Sequence, residues 1–207
     1  MSAKYDVLKL LENNKGKTLS GNDIAMALGI TRAAVWKVIN TLKEDGYKIS
    51  AVTKKGYCLE TQNDILSPQS IKPYIHNVEL YDTIIVHKSL SSTNTEAKAL
   101  ANNSAKSGTV IISEQQTQGK GRLGRKFYSP NTSGIYMSVI FRLKNPIEQS
   151  MLITSATAVA VCIAIKTVCN LDCQIKWVND IYIDSKKVCG ILTEASVNFE
   201  AQQLDYI

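Results

Sequence analysis

The first sixty residues space their apolar side chains at helical intervals three times over and then switch to alternation. Val7, Leu8, Leu10 and Leu11 predict a helix over residues 5–14, closed by Lys15, Gly16 and Lys17. Ser20, with Asp23 three residues on, caps a second helix that runs through Ile24 and Leu28 to Gly29. Thr31 caps a third, in which Val35, Val38, Ile39 and Leu42 fall at i, i+3, i+4 and i+7 and form one stripe. Beyond Gly46, alternating residues around 48–52 and 57–59 flank Thr53-Lys54-Lys55-Gly56, which predicts a short hairpin with a basic tip.

Helices meeting at Leu28-Gly29-Ile30, followed by a basic hairpin, outline a winged helix-turn-helix. The apolar stripe of the third helix faces inward, so Arg32, Ala33, Trp36, Lys37 and Asn40, with Thr31 at its start, face the side that would enter a DNA major groove. Lys54 and Lys55 would meet phosphates. A helical dimerisation or docking module would have the same outline; a salt-dependent interaction with duplex DNA distinguishes the two, because phosphate contacts release counterions.

The polar stretch 61–70, which contains Pro68, suggests a boundary near Asn63, between a first domain of residues 1–63 and a second of 64–207. Beyond it, strand-like stretches at 84–87, 109–113, 134–141, 175–177, 181–183 and 188–192 surround helix-like ones at 95–102 and 151–168. Several strands are close enough in sequence to pair as hairpins. The fold class expected is therefore α+β, with a mixed or antiparallel sheet backed by helices rather than a doubly wound one.

Composition narrows this picture. With 207 residues, 44% of them hydrophobic, the chain can bury a small domain and a larger one, which excludes disorder as its default. No uninterrupted apolar run reaches the roughly eighteen residues of a membrane span, and the N-terminus has no apolar core of a secretory signal. A cytoplasmic protein without a membrane partner is expected. Cysteines 58, 162, 169, 173 and 189 are odd in number and lack metal-ligand spacing, so they read as reduced, mostly buried thiols. The net charge of +6 suits a partner that carries phosphates.

The densest chemistry lies at residues 119–126, Gly-Lys-Gly-Arg-Leu-Gly-Arg-Lys. Gly119, Gly121 and Gly124 let backbone N–H groups approach an anion, and Lys120, Arg122, Arg125 and Lys126 offset several phosphate charges, so a triphosphate is the guest expected. The spacing also satisfies G-x-G-x-x-G, but a dinucleotide-binding fingerprint must open a helix, and Phe127-Tyr128-Ser129-Pro130 follows instead. The protein-kinase reading fails for want of a Val-Ala-Ile-Lys strand and a His-Arg-Asp loop.

Four motifs in order, Ser91-Ser92-Thr93-Asn94, residues 114–127, Lys176-Trp177-Val178-Asn179-Asp180 and Lys187-Val188-Cys189-Gly190-Ile191-Leu192, resemble the signature of biotin protein ligases. The resemblance is to the kind that carries an N-terminal DNA-binding domain and represses biotin genes. It implies a biotin/lipoate ligase catalytic fold, akin to class II synthetases, and formation of biotinyl-adenylate from biotin and ATP with Mg²⁺. It also implies transfer of biotin to a lysine of a carboxylase's carboxyl-carrier domain, operator DNA as a partner, and a homodimer when adenylate is bound. Carried over, Ser92, Thr93, Asn94, Gln116, Gly119, Lys120, Gly121, Arg122, Lys187 and Gly190 would bind biotin. Arg122, Arg125, Lys126, Phe127, Lys176 and Asn179 would face ATP, Lys187 and Arg122 would be catalytic, and Asp180 would help hold the metal.

Lys120 stands where many members have arginine, and Phe127 where many have tryptophan. Members also continue past Ile207 with a glycine-rich strand and a small β-barrel, so an incomplete catalytic domain is expected. Two other readings stay open: a transcription factor that senses a small acid without catalysis, and a lipoate-type ligase, although the Lys-Gly-Arg-x-Gly-Arg loop favours biotin.

Overall fold

The computed structural model describes residues 2–52, 55–76, 83–142, 146–198 and 203–207, so Lys54 lies outside the described residues. The chain divides into two compact units, Met1–Asp82 and Thr83–Ile207.

In the first unit each helix starts where a hydroxyl can accept an otherwise unpaired N–H. Ser2 caps α1 (Ala3–Asn13), Ser20 caps α2 (Gly21–Leu28) through the Asp23 N–H at 3.0 Å, and Thr31 caps α3 (Arg32–Glu44) through the Ala34 N–H at 3.1 Å. Helix α2 ends on Gly29 in the left-handed region at φ 63°, which turns the chain into α3. Three antiparallel strands follow the order β1 (Thr18–Leu19), β3 (Gly56–Leu59), β2 (Ile49–Val52), with Ile49 opposite Leu59 and Val52 opposite Gly56. The stripes converge as expected: Val7, Leu11, Ile24, Val35, Ile39, Leu42 and Leu59 are buried in one core, with Val38 packed against it. Strand β1 was not expected, because two residues are too few to show alternation.

The first unit continues past Asn63, so its limit differs from the one expected. Ile65 packs on the core. Ser67 caps the short helix α4 (Pro68–Ile71) in a reciprocal capping box with Ser70, and the Lys72 ammonium donates to the Tyr5 hydroxyl at 2.9 Å. A polar stretch containing proline looked like a linker, but its few apolar residues find partners that only the fold supplies.

In the second unit, β4 (Ile84–His87) runs parallel to β5 (Val110–Ser113), which pairs antiparallel with β6 (Tyr136–Val139). The parallel pair needs a crossover, and α5 (Thr93–Asn102) supplies it. A second sheet is the meander β7 (Gln174–Lys176), β8 (Asp180–Ile183), β9 (Lys186–Gly190), and β10 (Ser196–Asn198) pairs with β11 (Gln203–Tyr206). The expected mixed sheet is present; the last two strands, in polar sequence, were not foreseen. Phe141 and Ile207 exchange backbone hydrogen bonds at 2.8 and 2.9 Å. Arg142 donates to the Ala101 and Ala105 carbonyls at the end of α5 and to Asp205, with its guanidinium over the Tyr206 ring.

Helix α6 (Pro146–Cys169) changes one expectation. Its stretch Leu152–Cys169 has mean hydropathy 2.0 and is long and apolar enough to cross a membrane by length and composition, which alone are weak evidence for a span. Counting uninterrupted apolar residues missed it, because Thr154, Ser155 and Thr157 break the run without lowering the average much. Only 6% of the stretch is buried. The cysteines are free, as expected, but less buried than expected: Cys169 is exposed and the other four are half-buried.

Candidate functional site

The basic loop is a tight hairpin. Phe127 N–H donates to the Gly119 carbonyl at 2.8 Å and Gly121 N–H to the Arg125 carbonyl at 2.7 Å, so the two arms of residues 119–127 run back to back. The tip is a single 3₁₀ turn, Arg122–Gly124, with Leu123 in the left-handed region at φ 56° and 91% exposed. No helix opens here, which agrees with the rejection of a dinucleotide fingerprint.

Gly119 is required by packing. A Cβ there would lie 2.4 Å from the Phe127 carbonyl oxygen and 2.6 Å from Ser129 Oγ, and the first of these is backbone that cannot swing away. Gly119→Ala should therefore open the base of the hairpin at a cost of about 1–3 kcal/mol. Faster amide hydrogen exchange at Phe127 is the readout, and unchanged protection would refute the requirement.

Beside the hairpin lies a hydrogen-bonded polar cluster whose members come from distant parts of the chain. Ser92 and Thr93, at the start of α5, are buried. The Thr93 N–H and hydroxyl donate to Gln116 Oε1 at 2.8 and 3.1 Å, and Gln116 Nε2 donates to Ser129 Oγ at 3.0 Å. Ser138 Oγ, on β6, lies within hydrogen-bond distance of both Thr93 Oγ1, at 2.8 Å, and Asn94 Oδ1, and its single proton serves one of them. Asn94 Nδ2 donates to Glu194 Oε2 at 2.8 Å, and the Lys98 ammonium pairs with Glu194 Oε1 at 2.8 Å. Burial opposes the charge on Glu194, but the Lys98 and Asn94 hydrogen bonds and the charges of Lys98 and Lys120 outweigh it and hold its carboxyl below the usual glutamate range.

The hairpin reaches in two directions. Lys120 donates to Thr95 Oγ1 at 3.0 Å on the cluster side, and Arg122 Nη1 donates to Asn179 Oδ1 at 3.0 Å in the turn between β7 and β8. Asn179 Nδ2 continues to Asp180 Oδ1 at 2.9 Å, and that same oxygen pairs with the Lys187 ammonium at 2.8 Å. Lys187 folds across Gly190, where an added Cβ would meet its Cε and Nζ at 3.1 Å. Arg125, Lys126 and Phe127 are exposed. Lys176 instead faces the Tyr182 ring at 5.8 Å on its own hairpin, and no hydrogen bond among the described residues joins it to Arg122 or Lys187. Trp177, whose large ring favours burial, is 81% exposed. Among the described residues no group of three His, Cys, Asp or Glu side chains gathers as a metal site.

Ser138, Ser129, Thr95, Lys98 and Glu194 were not singled out from the sequence. Ser138 had a signal, a polar residue on the inward face of a strand next to buried Tyr136. Glu194 had none, since its partner Asn94 lies one hundred residues away.

In the first unit, Arg32, Trp36 and Lys37 are exposed and Asn40 is half-buried on the outer face of α3, and Thr31 is spent as the helix cap. Arg32, Ala33 and Trp36 line one side of a groove of about 550 Å³; Val52, Lys55 and Tyr57 of the hairpin line the other. Expected DNA-facing residues and wing thus share one surface.

The profile of the Biotin/lipoate A/B protein ligase family matches residues 86–204. The chain belongs to that family. An HTH domain profile matches residues 4–58, within the first unit. The chain is 39% identical over 191 residues to the bifunctional ligase/repressor BirA of Bacillus subtilis (strain 168), covering 92% of this chain and 59% of that protein. It is 29% identical over 188 residues to the bifunctional ligase/repressor BirA of Escherichia coli (strain K12), covering 91% and 56%. It therefore spans less than two thirds of the length of these relatives. The biotin protein ligase of Leishmania major, solved in complex with biotinyl-5-AMP, is similar in fold over 59% of this chain and 53% of that one, at 23% identity and a TM-score of 0.50.

Proposed function

We propose that this chain activates biotin with ATP, forming biotinyl-5′-AMP and pyrophosphate, and passes biotin to a lysine of a carboxylase's carboxyl-carrier domain. We propose also that its winged helix-turn-helix binds operator DNA in the cytoplasm as a biotin-responsive repressor, homodimeric when the adenylate is bound. The observation that carries the reading is the cationic hairpin bonded on one side to Thr95, next to the polar cluster, and on the other to Asn179, next to the Lys187–Asp180 pair. A carboxylate at the cluster and a nucleotide on the Asn179 side would meet beneath Arg122.

The chemistry needs that arrangement. A biotin carboxylate oxygen forms a bond to the α-phosphorus, the bond from α-phosphorus to the bridging oxygen breaks, and pyrophosphate leaves with that oxygen. The carrier lysine's amine then attacks the acyl carbon, AMP leaves, and the amine gives up its proton. Two anions must come together in the first step, so Arg122 and Lys187 act as the cations that offset repulsion, with Arg125 and Lys126 toward the phosphates. The neutral polar groups of Ser92, Thr93, Asn94 and Gln116 suit an uncharged cyclic urea. Phe127 offers a face for adenine, and the exposed Trp177 ring makes the β7–β8 turn a second candidate surface. Asp180 Oδ1 accepts from Lys187 and Asn179, so Oδ2 would be the atom to hold Mg²⁺, which would offset phosphate charge there.

Mixing the chain with biotin and ATP should release pyrophosphate and adenylylate biotin, whereas lipoate in place of biotin should release none. No pyrophosphate with biotin would sink the catalytic reading in favour of a non-catalytic sensor. On the DNA side, Lys55→Ala should lower the slope of log affinity against log salt by about 1, evenly across sequences, while Arg32→Ala relaxes sequence choice. Fluorescence anisotropy with operator and scrambled duplexes measures both, and a slope of zero for the unaltered chain would overturn DNA binding.

A further inference from the structure

Of the described groups that hydrogen-bond the Asn94 side chain, one decides which way round its amide sits. Ser138 can donate to a carbonyl oxygen or accept from an amine, so the hydroxyl at Asn94 Oδ1 tolerates both orientations. The Leu192 carbonyl only accepts, but at 3.4 Å from Nδ2 it is at the limit of a hydrogen bond. Glu194 differs. Its carboxylate only accepts, lies 2.8 Å from Asn94 Nδ2, and is itself anchored by Lys98 Nζ at 2.8 Å from the next turn of the same helix. A charge-assisted bond of this kind is about twice as strong as a neutral one, so it decides the orientation.

We infer that Glu194 is a positioning residue that fixes the Asn94 amide so that the site reads an N–H group of its ligand rather than a carbonyl. With both Nδ2 protons turned toward Glu194 and Leu192 and one Oδ1 lone pair turned toward Ser138, the remaining Oδ1 lone pair is what Asn94 has left to offer. The inference rests on the reading of this cluster as the biotin site and adds which polar group of the cyclic urea Asn94 selects. Burial disfavours the charge on Glu194, yet Lys98, Asn94 and Lys120 keep it ionised, which keeps it an acceptor alone. Lys120 also donates to Thr95 on the same helix, so the closed hairpin adds a cation to the field that holds Glu194 charged.

The test compares binding of biotin with that of its two N-methyl derivatives, each lacking one ureido N–H, by isothermal titration. The unaltered chain should prefer biotin to one of them by about tenfold, the worth of a hydrogen bond in a desolvated pocket. E194M should reduce that preference to about twofold or less, mainly by weakening biotin, because the Asn94 amide can then turn. K98M removes the anchor and a cation that keep Glu194 charged, so it should lower the preference in the same direction; a preference unchanged in a folded E194M would overturn the inference. If E194M does not fold, the unaltered chain still decides: one Asn94 side-chain amide proton, bonded to a carboxylate, should exchange more slowly with solvent than amide protons of exposed asparagines. Fast exchange of both protons overturns the inference. Absence of biotin binding by the unaltered chain is a separate result that removes the biotin-site reading and the ligand part of the inference with it.

Discussion

Lys187→Ala should lower the rate of pyrophosphate release from biotin and ATP by about 10²–10³-fold, the usual effect of deleting one preorganised group that stabilises developing charge. Lys187 is already held against an anion in the structure. Its ammonium is held 2.8 Å from Asp180 Oδ1, and Gly190 gives its stem room that an alanine would take. Reaction would exchange one anionic partner for another, the carboxylate and α-phosphate of the adenylate under formation. The ion pair with Asp180 is partly exposed, so its loss should cost no more than about 1 kcal/mol of stability. Single-turnover measurements should therefore find a slow chemical step in a chain that melts near the normal temperature and still binds DNA, since the helix-turn-helix belongs to a separate compact unit. Turnover equal to that of the unaltered chain removes Lys187 from the catalytic set.

Gly56→Ala should have the largest effect on the first unit. At φ 128° this residue occupies a region that side chains avoid, and a Cβ would lie 2.0 Å from the Leu19 carbonyl oxygen and 2.7 Å from Ser20 Cα. Both obstacles are backbone. Strain and overpacking together amount to about 2–6 kcal/mol, against a total stability of about 4–12 kcal/mol for a unit of this size. Pairing of β1 with β3 would fail first, because Leu19 lies opposite Tyr57 in that register. The wing and the start of α2 would lose their common support, so DNA affinity should fall with stability while adenylate formation persists. Calorimetry with a pyrophosphate assay on the same sample checks this, and an unfolding midpoint unchanged from that of the unaltered chain refutes it.

The features legible along the chain are local ones. Caps lie within three residues of the N–H groups they satisfy, apolar stripes repeat within two turns, and the glycine and charge pattern of 119–126 specifies a close-approach cationic loop wherever it is placed. The three helices, the hairpin and most strands were legible for that reason, as was Arg122 within its cationic loop, whereas Ser92, Thr93, Asn94, Gln116 and Lys187 became candidates only through the resemblance of their motifs to those of biotin protein ligases. Which of them meet depends on the folded chain. Ser138 reaches Asn94 across forty-four residues and Glu194 across one hundred, and Arg122 reaches Asn179 across fifty-seven. Such pairs leave no period or spacing in a sequence, because chain closure over those lengths is fixed by the packing of α5 on its sheet and not by neighbours along the chain. The same physics moved the limit of the first unit beyond Asn63 and left Trp177 exposed. Burial belongs to the folded surroundings of a residue, and its type supplies only the default.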